Sequence, residues 1–437
     1  MSLTENALGL LKALIRNACV NDLTDDSGFE ARNADTLEEF FSGVDGVKVE
    51  RFEPHPGRVS IAFSIEGSGG EPLTLLGHTD VVPVDEAKWT VDPFGALERD
   101  GKIYGRGATD MLYITAAMAA CVRDVAESGV RPAGTLTFVG CADEEARGGL
   151  GAGWLVEQDT DISWKNCLSE EGGSHLPVSD GSDALIVVVG EKGAAQRRLT
   201  VHGDAGHGSA PYGRDFAVAK VAEVARRIAA IEPPVRSDDI WEGYVRAWKF
   251  DSETEQLLLD GKGYESFGQL QQYSHAMSHL TISPTVLRAG GAINVLPSTA
   301  WLECDIRPLP GQTQDEVDEV LREGLGDLAD EVEIERLISE PGTLSPTSGP
   351  LYDAIVDVFD EFFPGVPVVP TIAAGGSDLR FGRHKGGVGY GFALHRRGQT
   401  LGTVLAELHS HDEHVEIEDV NLTARAYRSL IRRFVGA

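Results

Sequence analysis

Short apolar segments alternate with longer helical ones between residues 72 and 185. The apolar run at residues 73–76 predicts a buried strand leading into His78, and the spacing of apolar positions in the Ala-rich residues 111–128 predicts a helix. Residues 136–141 predict the next strand. Strands that alternate with helices indicate an α/β sheet, in which ligands bind beyond the carboxyl ends of the strands.

The pattern changes near residue 190, where an alternating, strand-like segment is followed by a helix and then by two more strands. These segments are residues 196–202, 216–231, 281–287 and 299–306. From about Tyr352 onward the alternation of strands and helices resumes. We therefore predict an α/β fold made of a discontinuous larger domain, residues 1–189 and 311–437, and an inserted α+β domain, residues 190–310.

The composition narrows the class of protein. The 437 residues are 42% hydrophobic, which is enough for large buried cores. A net charge of −31, from 69 acidic and 38 basic residues, would repel nucleic acid and anionic membrane surfaces. No segment approaches the roughly 20 apolar residues of a membrane span. The five cysteines have no paired spacing, which suits a reducing cytoplasm better than a disulfide framework. From the charge and the cysteines together, we expect a cytoplasmic enzyme whose partners include neither nucleic acid nor membrane.

His78 and Asp80 lie at the end of the first predicted strand. They are two residues apart, so on an extended backbone both side chains point to the same face. His78 then fits a zinc ligand, with Asp80 accepting a hydrogen bond from the other ring nitrogen and fixing the tautomer. An isolated histidine of this kind is more often a loop residue without a metal, but the other His and carboxylate clusters of the chain favour the ligand.

Carboxylates follow at two further element boundaries. Asp110 opens the helix predicted for residues 111–128 and suits either an N-cap or, as we favour, a carboxylate shared by two cations. Glu144 and Glu145 follow the second strand, and adjacent carboxylates repel each other unless a cation or a proton lies between them. We expect one to bind metal and the other to carry a proton from the attacking water to the leaving nitrogen. An exposed acidic run is the alternative, and Asp143 leaves the local assignment open.

Weaker candidates complete the set. Glu170 and Glu171 offer a carboxylate after a short apolar run, and His409 or His411 offers an imidazole near the C-terminus. His207, in a Gly-His-Gly-Ser segment of the inserted domain, is as consistent with a surface loop as with a functional role.

Five segments, taken in order, resemble the M20 family of metallopeptidases and aminoacylases over almost the whole chain. They are residues 77–83, 104–110, 142–146, 170–173 and 408–413. The resemblance implies a hydrolase with two Zn²⁺ ions per chain, for which Co²⁺ or Mn²⁺ are alternatives. It also implies a zinc-peptidase-like α/β catalytic domain with an inserted lid, or dimerisation, domain, and therefore a homodimer formed through the lid.

The same resemblance implies a role for each site residue. The implied metal ligands are His78, the bridging Asp110, Glu145, Glu171 and His409, with His411 as second choice for the last. Glu144 is the implied general base, and Asp80 orients His78. In the lid, His207 is implied to reach a neighbouring subunit's active site and stabilise the oxyanion. The segments of Asn294, Arg307, Gly375 and Gly376 match those that hold the substrate carboxylate, for which a bidentate Arg is suited. One departure is Leu112, where the family often has Lys.

We therefore predict a metal-dependent hydrolase that cleaves an amide bond next to a free carboxylate, in a small-molecule substrate such as an N-acyl amino acid or a short peptide. A dipeptidase and an N-carbamoyl amino acid amidohydrolase are the alternatives within the enzymes. Among proteins without catalytic activity, the alternative is a binding protein on a degenerate hydrolase scaffold. The presence of a candidate for every ligand and for the base argues against that last alternative.

Overall fold

The computed structural model describes residues 2–437. The helices are α1 (Leu3–Arg16), α2 (Ala31–Phe40), α3 (Tyr113–Ser128), α4 (Ala152–Leu155), α5 (Ala217–Ile228), α6 (Asp239–Ala247), α7 (Ser252–Leu259), α8 (Gln271–Ser278), α9 (Gln314–Leu325), α10 (Pro350–Phe362), α11 (Leu379–His384), α12 (Leu401–Glu407) and α13 (Ile417–Val435). None of the helices within residues 2–437 combines the length and the apolar character needed to cross a bilayer.

The strands form one large and several smaller sheets. They are β1 (Lys48–His55), β2 (Arg58–Ile65), β3 (Gly70–His78), β4 (Leu97–Arg99), β5 (Lys102–Tyr104), β6 (Gly134–Cys141), β7 (Asn166–Ser169), β8 (His175–Pro177), β9 (Asp183–Glu191), β10 (Arg197–His202), β11 (Gly206–His207), β12 (Thr281–Ala289), β13 (Val295–Leu296), β14 (Thr299–Arg307), β15 (Val332–Arg336), β16 (Thr343–Leu344), β17 (Val368–Ala373), β18 (Val388–Gly391) and β19 (His414–Glu416).

The large sheet has the order β1-β2-β6-β3-β7-β18-β9-β16, and β8 and β17 also pair with β9. Its centre, β6-β3-β7-β18, is parallel, whereas β1, β2 and β6 pair antiparallel at one edge. Strands β3 and β6 are buried along most of their length, as expected for strands covered on both faces. Helices α1, α3 and α13 pack together on the sheet, and α2, α4 and α11 contribute further contacts. The predicted α/β class is confirmed.

Three adjacent parallel strands end side by side and position the candidate site. His78, the last residue of β3, pairs with Cys141, the last residue of β6. Strand β7, which pairs with the other side of β3, ends at Ser169. The residues that follow β6 and β7 therefore emerge beside His78, at the carboxyl edge where ligands bind in such sheets.

The smaller unit is an antiparallel sheet of order β12-β14-β10-β15. Helices α5 and α9 pack against it and against each other, and their apolar residues close a core of their own, which includes Val221, Leu302 and Leu321. The amphipathic pattern of each helix supplies one apolar face for this core. The chain leaves the large sheet after Glu191 and enters the smaller one at Arg197.

The packing divides the chain differently from the predicted boundaries of 190 and 310. Strand β15 and helix α9 follow residue 310 but belong to the smaller unit, because β15 pairs with β10. Conversely, α6 lies within residues 190–310 but packs on β17 of the large sheet. Trp241 and Tyr244 of α6 are fully buried in the core of the larger unit, where stacked aromatic rings surround them. The amphipathic pattern of a helix does not specify which of two cores its apolar face joins.

Candidate metal centre

Two groups of potential metal ligands share one carboxylate. His78, Asp110 and Glu170 form the first group, and Asp110, Glu145 and His409 form the second, with the ligand atoms of each group within 4.8 Å of one another. Oδ1 of Asp110 lies 3.2 Å from Nε2 of His78, and Oδ2 lies 3.2 Å from Nε2 of His409. Asp110 thus presents one oxygen to each group, which is the arrangement of a carboxylate that bridges two cations.

The cluster contains several buried carboxylates whose negative charge cations would neutralise. Burial raises the pKa of Glu170 to about 7, and burial and the charge of Asp110 raise the pKa of Glu145 above its ordinary value. Hydrogen bonds with Asp110 and Glu145 raise the pKa of His409 to about 10, so that protonated imidazole supplies positive charge. Oε1 of Glu145 is buried without a hydrogen-bond partner. A pair of divalent cations fits this donor set, because it would neutralise the carboxylates and engage the orphaned oxygen.

Glu413 positions the turn that carries Asp110. Its buried carboxylate accepts hydrogen bonds from Arg106 Nη1 at 2.6 Å and from the backbone N–H groups of Thr109 at 2.7 Å and Asp110 at 3.1 Å. Gly107 has φ +82°, and a Cβ there would lie 2.4 Å from a Val81 methyl, so the turn requires glycine. Asp110 makes no side-chain cap bond to the helix that follows. The N-cap alternative for Asp110 is therefore not what the geometry shows.

Asp80 occupies a different place from the one predicted. Nδ1 of His78 lies 3.0 Å from the backbone carbonyl oxygen of Asp80, whereas the nearer carboxylate oxygen is 3.6 Å away. The carboxylate instead accepts hydrogen bonds from the N–H groups of Glu144 and Glu145, each at 3.2 Å, and from Asn21 Nδ2 at 2.8 Å. Asp80 thus orients the ring through its carbonyl group and holds the Glu144–Glu145 turn through its carboxylate.

The three acidic residues after β6 separate by their contacts. Asp143 accepts hydrogen bonds from Arg58 Nη2 at 2.6 Å and from the Leu150 N–H at 2.7 Å, so it faces away from the ligand groups. Glu145 joins the second ligand group. Glu144 lines a cavity beside the cluster, and burial together with the charge of Glu170 raises its pKa well above the ordinary value. Glu144 is therefore the member left free to exchange a proton.

The structure distinguishes Glu170 from Glu171 and His409 from His411 as candidate metal ligands. The first ligand group contains Glu170, not the predicted Glu171. Glu171 follows β7 with φ +67°, and its carboxylate lies in neither group. His409 lies in the second group, with Nε2 at 3.3 Å from Glu145 Oε2. His411 is exposed and lies in neither group.

A polar cavity of about 270 Å³ opens beside the cluster. Glu144, Glu145 and His409 line one part of it, and the basic side chains of Lys192, Arg307 and Arg380 line another, next to Gly375 and Gly376. Arg307 and the two glycines were predicted from the sequence. Lys192 and Arg380 were not, although each lies within five residues of a recognised boundary or loop. Basic groups beside exposed backbone favour an anionic substrate group.

A buried carboxylate shapes the glycine loop of this cavity. Glu191, at the end of β9, accepts hydrogen bonds from the Ser377 N–H at 2.8 Å and the Ser377 hydroxyl at 2.6 Å. The guanidinium of Arg380 donates to the carbonyl of Arg147 at 2.8 Å and to that of Ser377. The loop that presents Gly375 and Gly376 is therefore anchored at both sides.

The structure does not bring His207 and Asn294 to the metal centre of their own chain. Both are exposed residues of the smaller unit, and neither lies in a ligand group or lines the polar cavity. They are neighbours, because β11 pairs with β13 and the Gly208 N–H donates to the Asn294 carbonyl at 2.8 Å. Nδ1 of His207 lies 2.7 Å from the Ser209 hydroxyl.

Comparisons with known proteins agree with this geometry. Residues 74–433 match the sequence model of Peptidase family M20/M25/M40. The chain is 29% identical over 374 residues to an N-fatty-acyl-amino acid synthase/hydrolase of Xenopus tropicalis, covering 80% of this chain and 72% of that protein. It is 29% identical over 441 residues to a succinyl-diaminopimelate desuccinylase of Alkalilimnicola ehrlichii, covering 98% and 99%. Its fold is similar to that of an M20 family metallo-carboxypeptidase from Sulfolobus solfataricus, with a TM-score of 0.73 over 99% of both chains at 18% identity.

Proposed function

The chain belongs to peptidase family M20/M25/M40, and on that premise we propose that it is a metal-dependent amidohydrolase that cleaves an amide bond next to a free carboxylate. Family membership confirms the resemblance drawn from the sequence motifs. The single observation that carries the proposal is the pair of ligand groups sharing Asp110, with the free carboxylate of Glu144 and the basic residues of the polar cavity beside it.

The donor set fits two zinc ions. His78 and Glu170 would hold one ion, Glu145 and His409 the other, and Asp110 would bridge them. Imidazole nitrogen and carboxylate oxygen are ligands that zinc accepts, and Co²⁺ or Mn²⁺ could take the same set. When bound, such ions polarise a substrate carbonyl and lower the pKa of water. The remaining chemistry belongs to side chains of the protein.

Glu144 is the proposed general base. Its side chain lines the polar cavity beside Glu145 and His409, and burial together with the charge of Glu170 raises its pKa well above the ordinary value of a carboxyl, the direction that favours taking up a proton. It would take a proton from the attacking water and deliver it to the leaving nitrogen. The predicted role of Asp80 as a positioning residue is retained, but through the contacts described above.

The polar cavity would bind the substrate carboxylate. Arg307 lies at the end of β14 with Nε 2.9 Å from Asp305 Oδ1, which leaves its terminal nitrogens for the substrate. Arg380 adds positive charge, whereas the Lys192 ammonium donates to the Ala276 and His279 carbonyls. The backbone at Gly375 and Gly376 has no side chain in the way of an approaching oxygen. A carboxylate held here would place the adjacent amide at the ligand groups.

A homodimer through the lid, which is the smaller unit, would explain the position of His207 and Asn294. Both residues are exposed, and Ile293 and Tyr212 nearby are fully exposed apolar side chains. Exposed apolar groups of this kind mark a surface suited to association. We propose that His207 and Asn294 complete the site of a neighbouring subunit, with His207 stabilising the oxyanion.

The cytoplasmic location stays a proposal, and the five free, buried cysteines suit a reducing compartment.

The test is release of free amino acid from N-acyl amino acids, with dipeptides and N-carbamoyl amino acids assayed in parallel. We expect the metal-loaded protein to release the amino acid and a chelator to abolish the release. Faster release from dipeptides would indicate a dipeptidase, and faster release from N-carbamoyl amino acids would indicate a carbamoyl amidohydrolase. Binding of N-acyl amino acids without any turnover would contradict the proposal and favour a binding protein on a hydrolase scaffold.

A further inference from the structure

A second cavity meets the ligand cluster from another side. It has a volume of about 50 Å³, and Asp110 and Glu170 of the first ligand group form part of its wall. It shares no lining residue with the polar cavity, which contains Glu145 and His409 of the second group. The shared carboxylate of Asp110 therefore lies between two separate cavities.

The wall of this second cavity is mainly apolar. Ile186 and Val188 of β9 contribute one side, and Leu401, Val404 and Leu405 of α12 contribute another. On α12, positions 401, 404 and 405 follow helical spacing, so that one face of the short helix is turned toward the cavity. We name this the apolar cavity. In contrast to the polar cavity, it contains no lysine or arginine.

The order of bonds in the proposed substrate indicates which part of the substrate each cavity would bind. In an N-acyl amino acid, the carboxylate and the side chain lie on the nitrogen side of the amide, and the acyl chain lies on the carbonyl side. If the carboxylate occupies the polar cavity and the amide lies at the ligand groups, the acyl chain continues past Asp110 and Glu170. Resting on the proposed function, we propose that the apolar cavity is the acyl subsite and that it takes an unbranched aliphatic chain.

The volume limits the length of that chain. A cavity of about 150 Å³ binds benzene, which has six carbons, so 50 Å³ has room for about two to three carbon groups. With the carbonyl carbon outside the cavity, the preferred acyl groups are propanoyl and butanoyl. Each methylene buried contributes about 0.8 kcal/mol, or about fourfold in kcat/KM. We expect a rise of about 15-fold from acetyl to butanoyl and a fall for dodecanoyl, which exceeds the cavity.

The test uses N-acylglycines of increasing chain length and two variants of α12. Val404 lines the cavity, whereas Ala406, two residues further on, is exposed on the opposite face. Val404→Trp should lower the ratio of kcat/KM for butanoylglycine over acetylglycine by tenfold or more. The matched control, Ala406→Trp, should leave that ratio within twofold of the native protein. Leu405→Ala enlarges the cavity and should move the optimum toward longer chains.

The outcomes separate this proposal from the proposed function. Chelator-sensitive hydrolysis of every N-acylglycine at equal rates would support the function and overturn the acyl subsite. Preference for N-acetylleucine over N-acetylglycine that is lost in Val404→Trp would assign the cavity to the amino acid side chain, and would also overturn it. No hydrolysis of any N-acyl amino acid by the metal-loaded protein would contradict the function and the subsite together. Metal content and a thermal melt of each variant identify one that has lost its fold, and in that case Leu405→Ala decides.

Discussion

Replacing Glu170 by Gln should remove one metal ion, and replacing the adjacent Glu171 by Gln should not. The two residues are chemically identical neighbours, but only Glu170 has a carboxylate oxygen in a ligand group, with Oε2 at 3.5 Å from His78 Nε2. Glu170→Gln keeps the shape of the side chain and removes its charge. The first group would then retain only His78 and the shared Asp110.

The expected loss can be bounded. Removing a group that merely supports a metal ligand typically lowers affinity 10- to 100-fold. Loss of the ligand itself should cost at least about 100-fold, or about 2.7 kcal/mol. For Glu171, burial and the charge of Glu170 raise the pKa to about 8, so this side chain is mostly protonated at pH 7 in the metal-free protein. Gln resembles the protonated carboxyl, and we expect metal affinity within about threefold of native.

The assay is metal content by elemental analysis after dialysis against a buffered free-zinc concentration at which the native protein is just saturated. Glu170→Gln should hold about one ion per chain and Glu171→Gln about two. Equal loss in both variants would mean that the cluster responds to charge alone. Loss in Glu171→Gln only would refute the assignment of Glu170 and restore the residue predicted from the sequence.

Three further results are expected. Glu144→Gln should keep both ions but lower kcat by roughly 10²- to 10⁴-fold, since its carboxylate lies free beside both groups; a normal kcat would remove Glu144 from the role. Arg307→Ala should lower kcat/KM for N-acyl amino acids by about ten- to 150-fold, which corresponds to the loss of one hydrogen bond to a charged group. The same variant should lower kcat/KM much less for N-acyl amines, which lack the carboxylate. Metal binding should release protons, because the pKa of His409 is about 10 in the metal-free protein and an ion must displace its proton at pH 7. Affinity should therefore rise with pH below about 10, and calorimetry in buffers of different ionisation enthalpy should detect the release; a binding enthalpy independent of buffer would contradict it.

The strand ends could be predicted from the sequence because apolar runs and the carboxylates that follow them are local. The run at 73–76 lies within β3, and that at 136–141 within β6, so His78, Glu144 and Glu145 fell at the correct edge of the sheet. Parallel pairing then brings these residues together without any further information.

The choice between Glu170 and Glu171 could not be predicted, because it depends on the backbone of a turn. The turn after β7 includes a left-handed conformation at Glu171, and no local pattern specifies which of the two adjacent carboxylates lies beside His78. The contact of Asp80 with the Glu144 and Glu145 amides is likewise set by how two strand ends meet. The packing of α6 on the large sheet depends on which apolar core is closer in the folded chain.

The most direct test of a two-metal hydrolase is activity during zinc titration of protein stripped of metal, with an N-acyl amino acid as substrate. The ligand groups sharing Asp110 predict no turnover in the stripped protein and a rise that reaches its plateau at two equivalents of zinc per chain. Turnover without added metal, or a plateau that does not depend on zinc, would contradict a two-metal hydrolase.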